Sequence, residues 1–222
     1  MFAIAIDGPA GAGKSTVARG VAKKLGFIYV DTGALYRAVG YYAIKNSVDT
    51  DDANTVEEML GSISVDIRFV DAEQHVFLND EDVNAYIRTP EVSMMASKVS
   101  AIPCVRAFLL SLQRNLAATN NVIMDGRDIG TVVLPNADVK IFMTASPECR
   151  AKRRCIDLEK AGHKPDFAQV LAEIETRDYN DSHRAIAPLK PAEDSVIFDS
   201  TGNQLEQSVE AVIKIIREKL PV

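Results

Sequence analysis

Gly8-Pro9-Ala10-Gly11-Ala12-Gly13-Lys14-Ser15 directly follows the apolar run Phe2-Ala3-Ile4-Ala5-Ile6 and precedes helical apolar spacing at Val17, Ala18, Val21 and Ala22. Strand, glycine-rich turn and helix in that order satisfy the phosphate-loop pattern GxxxxGK[ST] at every constrained position. Glycines let the backbone approach a polyphosphate closely, and successive N–H groups then converge on the anion at a helix N-terminus. Lys14 adds a mobile positive charge and Ser15 a hydroxyl for Mg²⁺. A bare glycine turn is the alternative. The strand and helix on either side favour a nucleoside triphosphate, held by Gly8, Pro9, Ala10, Gly11, Ala12, Gly13, Lys14, Ser15 and Thr16.

The rest of the chain sets this loop in a parallel α/β fold. Strand-like runs recur at Phe2–Ile6, Phe27–Val30, Val122–Met124, Val139–Thr144 and Val196–Phe198, most of them separated by segments of helical periodicity. Such sheets bind ligands beyond the carboxyl ends of their strands. Those ends carry the Gly8 loop, Asp31-Thr32, Asp125-Gly126-Arg127-Asp128 and Asp199-Ser200-Thr201. Val65–Val70 and Gln74–Leu78 flank a polar Asp71-Ala72-Glu73 and predict an antiparallel hairpin. It falls in an insertion over residues 32–116, against a core of 1–31, 117–148 and 187–222. A charged helical region over 149–186 is expected to contain helices at Ala151–Ala161 and Phe167–His183, parted by Gly162-His163-Lys164-Pro165. Gln204–Leu220 reads as a closing amphipathic helix.

With 222 residues, 47% of them hydrophobic, the chain can build one substantial core. A net charge of −6 argues against nucleic acid as the main partner, since backbone binding depends on Lys and Arg releasing counterions. No apolar run approaches the ~20 residues of a membrane span, and no charged leader opens the chain, so a cytoplasmic, monomeric enzyme without membrane contact is expected. Cys104, Cys149 and Cys155 lack CxxC spacing and read as packed free thiols. His75, His163 and His183 form no catalytic constellation and read as surface residues.

Arginine separates the possible uses of a triphosphate. Arg37 comes early in the helix that Thr32 is expected to cap, where a cation faces the positive end of the dipole. It is either a surface residue or an anion ligand. Asp125 stands at the Walker B position and can hold Mg²⁺ with Ser15. Arg127 and Asp128 follow it. Arg177, Asp181 and Arg184 share a helix face before Pro188, with the cation preceding the acid, the weaker order for helix stability. Arg150, Arg153 and Arg154 fit a solvated face, an RNA patch or a mobile lid; the lid agrees best with the phosphate loop. Phosphoryl transfer needs positioning and positive charge, which guanidinium groups supply without titrating. Lys14, Arg127, Arg184 and Arg153 are therefore the catalytic candidates.

Taken together, these stretches resemble the bacterial cytidylate (CMP) kinases of the nucleoside monophosphate kinase group over nearly the whole chain. The likeness is carried by Ile6–Thr16, Asp31–Arg37, Ile87-Arg88-Thr89-Pro90-Glu91-Val92, Asp125–Val133 and Arg184-Ala185-Ile186-Ala187-Pro188-Leu189. The resemblance implies a five-stranded parallel core, a monophosphate-binding lobe enlarged by the hairpin, and a short helical lid. It implies transfer from ATP to CMP or dCMP with Mg²⁺. By matching position, Thr32, Ser97, Arg106 and Asp128 would contact cytosine. Arg37, Arg127 and Arg184 would grip the CMP phosphate, and Arg177 and Asp181 would meet the sugar. Members of the family often have serine where this chain has Thr32. The rivals are a phosphate-loop kinase for UMP, AMP or shikimate, and a nucleotide switch. A switch would want [NT]KxD, and His163-Lys164-Pro165-Asp166 begins with the wrong residue.

Overall fold

A computed structural model describes residues 1–70, 73–160 and 162–220. Five parallel strands, β1 (Ala3–Asp7), β2 (Ile28–Asp31), β6 (Val122–Gly126), β7 (Val139–Thr144) and β8 (Val196–Asp199), run in the order β2-β6-β1-β7-β8. The chain divides into two compact units, one of Ile28–Asn120 with Met1, the other of Phe2–Phe27 with the residues from Asn121 onward.

In the second unit, β1 is the axis. Its Asp7 pairs in register with Gly126 of β6 on one side and Phe142 of β7 on the other, so the phosphate loop leaves from the centre of the sheet. Ile4, Ile6, Ile123, Met124, Ile141 and Met143 are fully buried there. The near-continuous apolar run of β1 follows, because parallel strands are covered on both faces. Helix α1 (Lys14–Leu25) opens on Gly13 and closes on Gly26, both left-handed. Gly8 is dictated by neighbouring backbone: with φ at 147°, a Cβ there would lie 1.9 Å from the Met143 carbonyl oxygen. The terminal helix α8 (Leu205–Lys219) packs on α1, with the Val209 side chain against Gly20.

Helix α6 (Pro147–Lys160) begins four residues before the expected Ala151. Ser146 Oγ accepts the Cys149 N–H at 3.2 Å and Pro147 fills the first turn, a start signal that the apolar spacing alone does not show. The far end of that expected helix, Ala161, lies outside the described residues. Helix α7 (Phe167–His183) has the expected bounds, capped by Asp166. Between β6 and β7 the chain makes a π-helical turn over Ile129–Val133, closed by Val133 N–H to Asp128 O and Leu134 N–H to Ile129 O. Periodicity gave no warning of it.

In the first unit, β3 (Val65–Val70) and β4 (Glu73–Leu78) form the antiparallel hairpin, joined by a third short strand, β5 (Glu81–Asp82). Its turn residues Asp71 and Ala72 lie outside the described residues. Helices α2 (Thr32–Lys45), α3 (Ala53–Ser62), α4 (Pro90–Val99) and α5 (Pro103–Thr119) complete the unit around Leu35, Ile87 and Leu109. Gly40 lets α2 and α4 meet backbone to backbone: a Cβ would lie 3.1 Å from the Ala96 nitrogen. The cap of α2 is Asp31 rather than the expected Thr32. Its carboxylate accepts the Ala34 N–H at 3.1 Å, and Thr32 is already the first residue of the helix.

Candidate active site

Three carbonyls of the phosphate loop are hydrogen-bonded by side chains. Lys14 Nζ donates to the Pro9 carbonyl at 2.8 Å. Arg150 Nη1 donates to the Ala10 carbonyl at 3.0 Å, and the Ala12 carbonyl accepts from Arg153 Nη1 at 3.3 Å and from Ser200 Oγ at 3.0 Å. Burial is the main reason the Lys14 ammonium is pushed down to about 7; Arg127 acts in the same direction, while Asp125 and Asp7 oppose the shift. An anion beside Lys14 would restore its charge. Thr16, expected among the donor contacts, is exposed on α1 beside half-buried Ser15.

Ser15 Oγ donates to Asp125 Oδ2 at 2.8 Å across 110 residues. The loop hydroxyl and the buried carboxylate of β6 are thus in direct contact. Arg127 Nε donates to Asp181 Oδ2 at 2.8 Å, and Arg184 Nη2 lies 3.3 Å from Asp128 Oδ1. Asp128 and Asp181 are both buried. Arg177 is half-buried on the same helix as Asp181. Within this unit Lys14 and Ser15 of α1, Asp125, Arg127 and Asp128 at the end of β6, and Asp181 and Arg184 at the end of α7 come together.

The remaining expected residues belong to the first unit. Of these, Arg37 faces Asp31. Besides capping α2, Asp31 has its Oδ2 3.8 Å from Arg37 Nη1 and 3.4 Å from Arg88 Nη2. The dipole penalty expected for Arg37 is thus offset by a carboxylate at the helix cap. Thr32 is buried in the first turn of α2, and Ser97 is half-buried on α4. Arg106 is buried on α5, donating to the Ser100 carbonyl at 3.2 Å, with its guanidinium 5.8 Å from the Tyr36 ring centre.

The basic cluster on α6 is not a uniform solvated face. Arg150 is 3% exposed, Arg153 half-buried and Arg154 exposed. Arg150 is forked onto Asp178 of α7, at 3.0 Å and 2.5 Å. Sequence reasoning passed over Asp178, although it stands beside Arg177, and gave no part to Asp7. The Asp7 carboxylate accepts the Ile129 and Gly130 N–H groups at 2.7 Å each and so fixes the π-helical turn behind Asp128. Burial, only partly countered by those two bonds, pushes it up to about 6. The visible signal for both was a carboxylate inside an otherwise functional string.

A cleft of about 560 Å³ is lined by Pro9 of the loop with Thr144, Ser146, Arg150, Asp178 and Thr201 among others. A smaller one on α8, about 320 Å³, contains no phosphate-loop residue. The three cysteines are free and half-buried. Among the described residues no cluster of three or more His, Cys, Asp or Glu could hold a metal alone.

Comparison with known proteins identifies the family. The family model described as cytidylate kinase matches residues 4–218. A cytidylate kinase of Caldicellulosiruptor bescii is 51% identical over 96% of this chain and 94% of its own length. One of Carboxydothermus hydrogenoformans is 49% identical over 97% of both chains, and one of Lactobacillus johnsonii 46% over 99% and 95%. A crystal structure of an uncharacterized protein from Eubacterium ventriosum, only 12% identical, shares the fold with a TM-score of 0.54 over 98% of this chain and 99% of its own. A family match over residues 4–218, with curated relatives about half identical over nearly the whole chain, means that this chain belongs to the cytidylate kinase family.

Proposed function

We propose that the loop from Gly8 to Thr16 holds ATP while Lys14, Arg127 and Arg184 stabilise the γ-phosphoryl group during its transfer to CMP or dCMP. Phosphorylation of CMP by ATP is the reaction of the family, and this chain is a kinase of that kind. The Ser15–Asp125 contact supports the reading of the donor half, because it brings together the two oxygens that would hold a phosphate-bound cation. Hard oxygen donors, one of them a carboxylate, suit Mg²⁺, which keeps waters and takes its other ligands from phosphates. When bound, Mg²⁺ would neutralise charge on the polyphosphate.

The transferred group passes through a loose transition state with charge on its peripheral oxygens, so the protein's part is positioning and cation supply. A phosphate acceptor is already an anion, which removes the need for a general base. Arg37, Arg127 and Arg184 are assigned to the acceptor phosphate, and Arg177 and Asp181 to its sugar. Thr32, Ser97, Arg106 and Asp128 are assigned to cytosine, whose N4 amino group donates and whose N3 and O2 accept. Arg153, expected among the catalytic cations, is assigned to the loop carbonyl it binds. Residues 32–116 are read as the acceptor lobe and 149–186 as the lid region.

We place the enzyme in the cytoplasm as a monomer acting in pyrimidine nucleotide metabolism, without nucleic acid or membrane partners. No single helix among the described residues is long and apolar enough to cross a membrane. A coupled assay of ADP formation tests the assignment. ATP turnover with CMP or dCMP should far exceed that with UMP, AMP, GMP or shikimate; equal rates with AMP would sink it.

A further inference from the structure

The phosphate loop has a mechanical problem that its own sequence does not solve. Gly11 and Gly13 sit at φ of 75° and 89°, and glycine is the residue whose flanking peptides turn over most freely. A flipped peptide would present a carbonyl oxygen to the polyphosphate in place of an N–H. In a trans peptide the C=O and the following N–H point in opposite directions. Pinning a carbonyl on the outside of the loop therefore holds the next N–H toward the inside.

The carbonyls of Pro9, Ala10 and Ala12 are all pinned. The first accepts from Lys14, within the loop itself. The third accepts from Ser200 and Arg153. The second accepts from Arg150 Nη1 at 3.0 Å, and this bond orients the Gly11 N–H. Arg150 has a fixed place: its Nε donates to the Ala145 carbonyl at 3.0 Å, and its stem fills the space that a Cβ on Gly11 would need, 3.1 Å away. A buried guanidinium this constrained needs a counter-charge. Asp178, on α7, supplies one through a two-pronged contact, the strongest pairing open to arginine.

We propose that Asp178 is a positioning residue for the donor nucleotide, acting through Arg150 on the Ala10–Gly11 peptide of the phosphate loop. Asp178 touches no reacting group. It lies one helical turn from Asp181, which holds Arg127, so one face of α7 sets both the donor loop and an arginine assigned to the acceptor. The proposal rests on ATP being bound at the Gly8 loop.

The test is ADP affinity, measured by calorimetry, in Asp178→Asn, Arg150→Lys and the double variant. Asparagine keeps the shape of Asp178 but opposes an amide to a guanidinium prong; lysine keeps the charge of Arg150 but cannot fork. Each single variant should weaken ADP binding at least tenfold. In turnover, KM for ATP should rise equally while KM for CMP stays within threefold. Because both residues act along one chain, the double variant should be no worse than the poorer single one. ADP affinity within twofold of wild type in the singles, additive losses in the double, or equal rises in both KM values would overturn it. If one single variant fails to fold, the other decides. Wild-type turnover of CMP is read separately, so its absence would count against the proposed reaction and leave the ADP result standing.

Discussion

Arg127 Nε donates to the Asp181 carboxylate at 2.8 Å, joining the end of β6 to the last turn of α7 across 54 residues. Both side chains are largely withdrawn from solvent, at 20% and 8% exposure. Removing one partner of such a pair leaves an uncompensated charge, costing about 3 kcal/mol. Asp181→Ala should therefore lower the melting temperature by roughly 6–12 °C for a chain of this size. It should also raise KM for CMP tenfold or more. A thermal melt and an acceptor titration check both effects; a variant unchanged in both would separate Asp181 from fold and site alike.

Asp128 and Arg184 meet at 3.3 Å, yet their loss should read differently. A hydrogen bond to a charged group is worth about 1.5–3 kcal/mol, roughly ten- to a hundredfold in affinity. Asp128→Ala should reduce the preference for CMP over UMP by that order. Arg184→Ala should raise KM for every monophosphate and leave their ranking intact. Parallel kinetics with CMP, dCMP, UMP and AMP distinguish the two, and an undiminished CMP preference in Asp128→Ala would remove it from base recognition.

The Ser15–Asp125 contact predicts a metal phenotype. Asp125→Asn keeps an acceptor for the hydroxyl but removes the carboxylate charge that suits a hard cation. The Mg²⁺ concentration for half-maximal rate should rise at least tenfold, with much of the rate recovered at high Mg²⁺. A magnesium titration at saturating ATP and CMP measures it. An unshifted midpoint would exclude Asp125 from the metal site.

Asp7 gives the fold a pH dependence of its own. Its carboxyl is pushed up to about 6 from 3.8, chiefly by burial, so between those values the folded state holds a proton that the unfolded chain has released. Stability from this group is present below about pH 4, declines as pH rises, and is gone above about 6. From pH 4.5 to 7 the wild type should lose about 2 kcal/mol that Asp7→Asn does not lose, at 1.36 kcal/mol per unit. Urea unfolding at the two pH values compares the slopes, and parallel ones would show that Asp7 does not titrate as assigned.

The sites legible in advance were those with local spacing. The phosphate loop, the five core strands, α7 and the hairpin could be read because apolar alternation, helical spacing and glycine punctuation are short-range. The start of α6 was misplaced because its signal is a Ser146–Pro147 cap and not an apolar repeat. The π-helical turn at Ile129–Val133 left no trace because its support, Asp7, stands 122 residues from Ile129. Arg150 was grouped with Arg153 and Arg154 by adjacency, whereas burial separates it from Arg154.

By itself, the sequence determined that a phosphate-loop pattern stands between strand and helix and which family the chain resembles, since these depend on residue types at fixed local offsets. Only the tertiary structure decided which charge meets which. Arg127 found Asp181, Arg150 found Asp178 and a loop carbonyl 140 residues away, and Asp31 gathered Arg37 and Arg88. Coulomb attraction and hydrogen bonding act over a few ångströms of space without regard to chain separation, so their outcome is settled by how helices and strands pack.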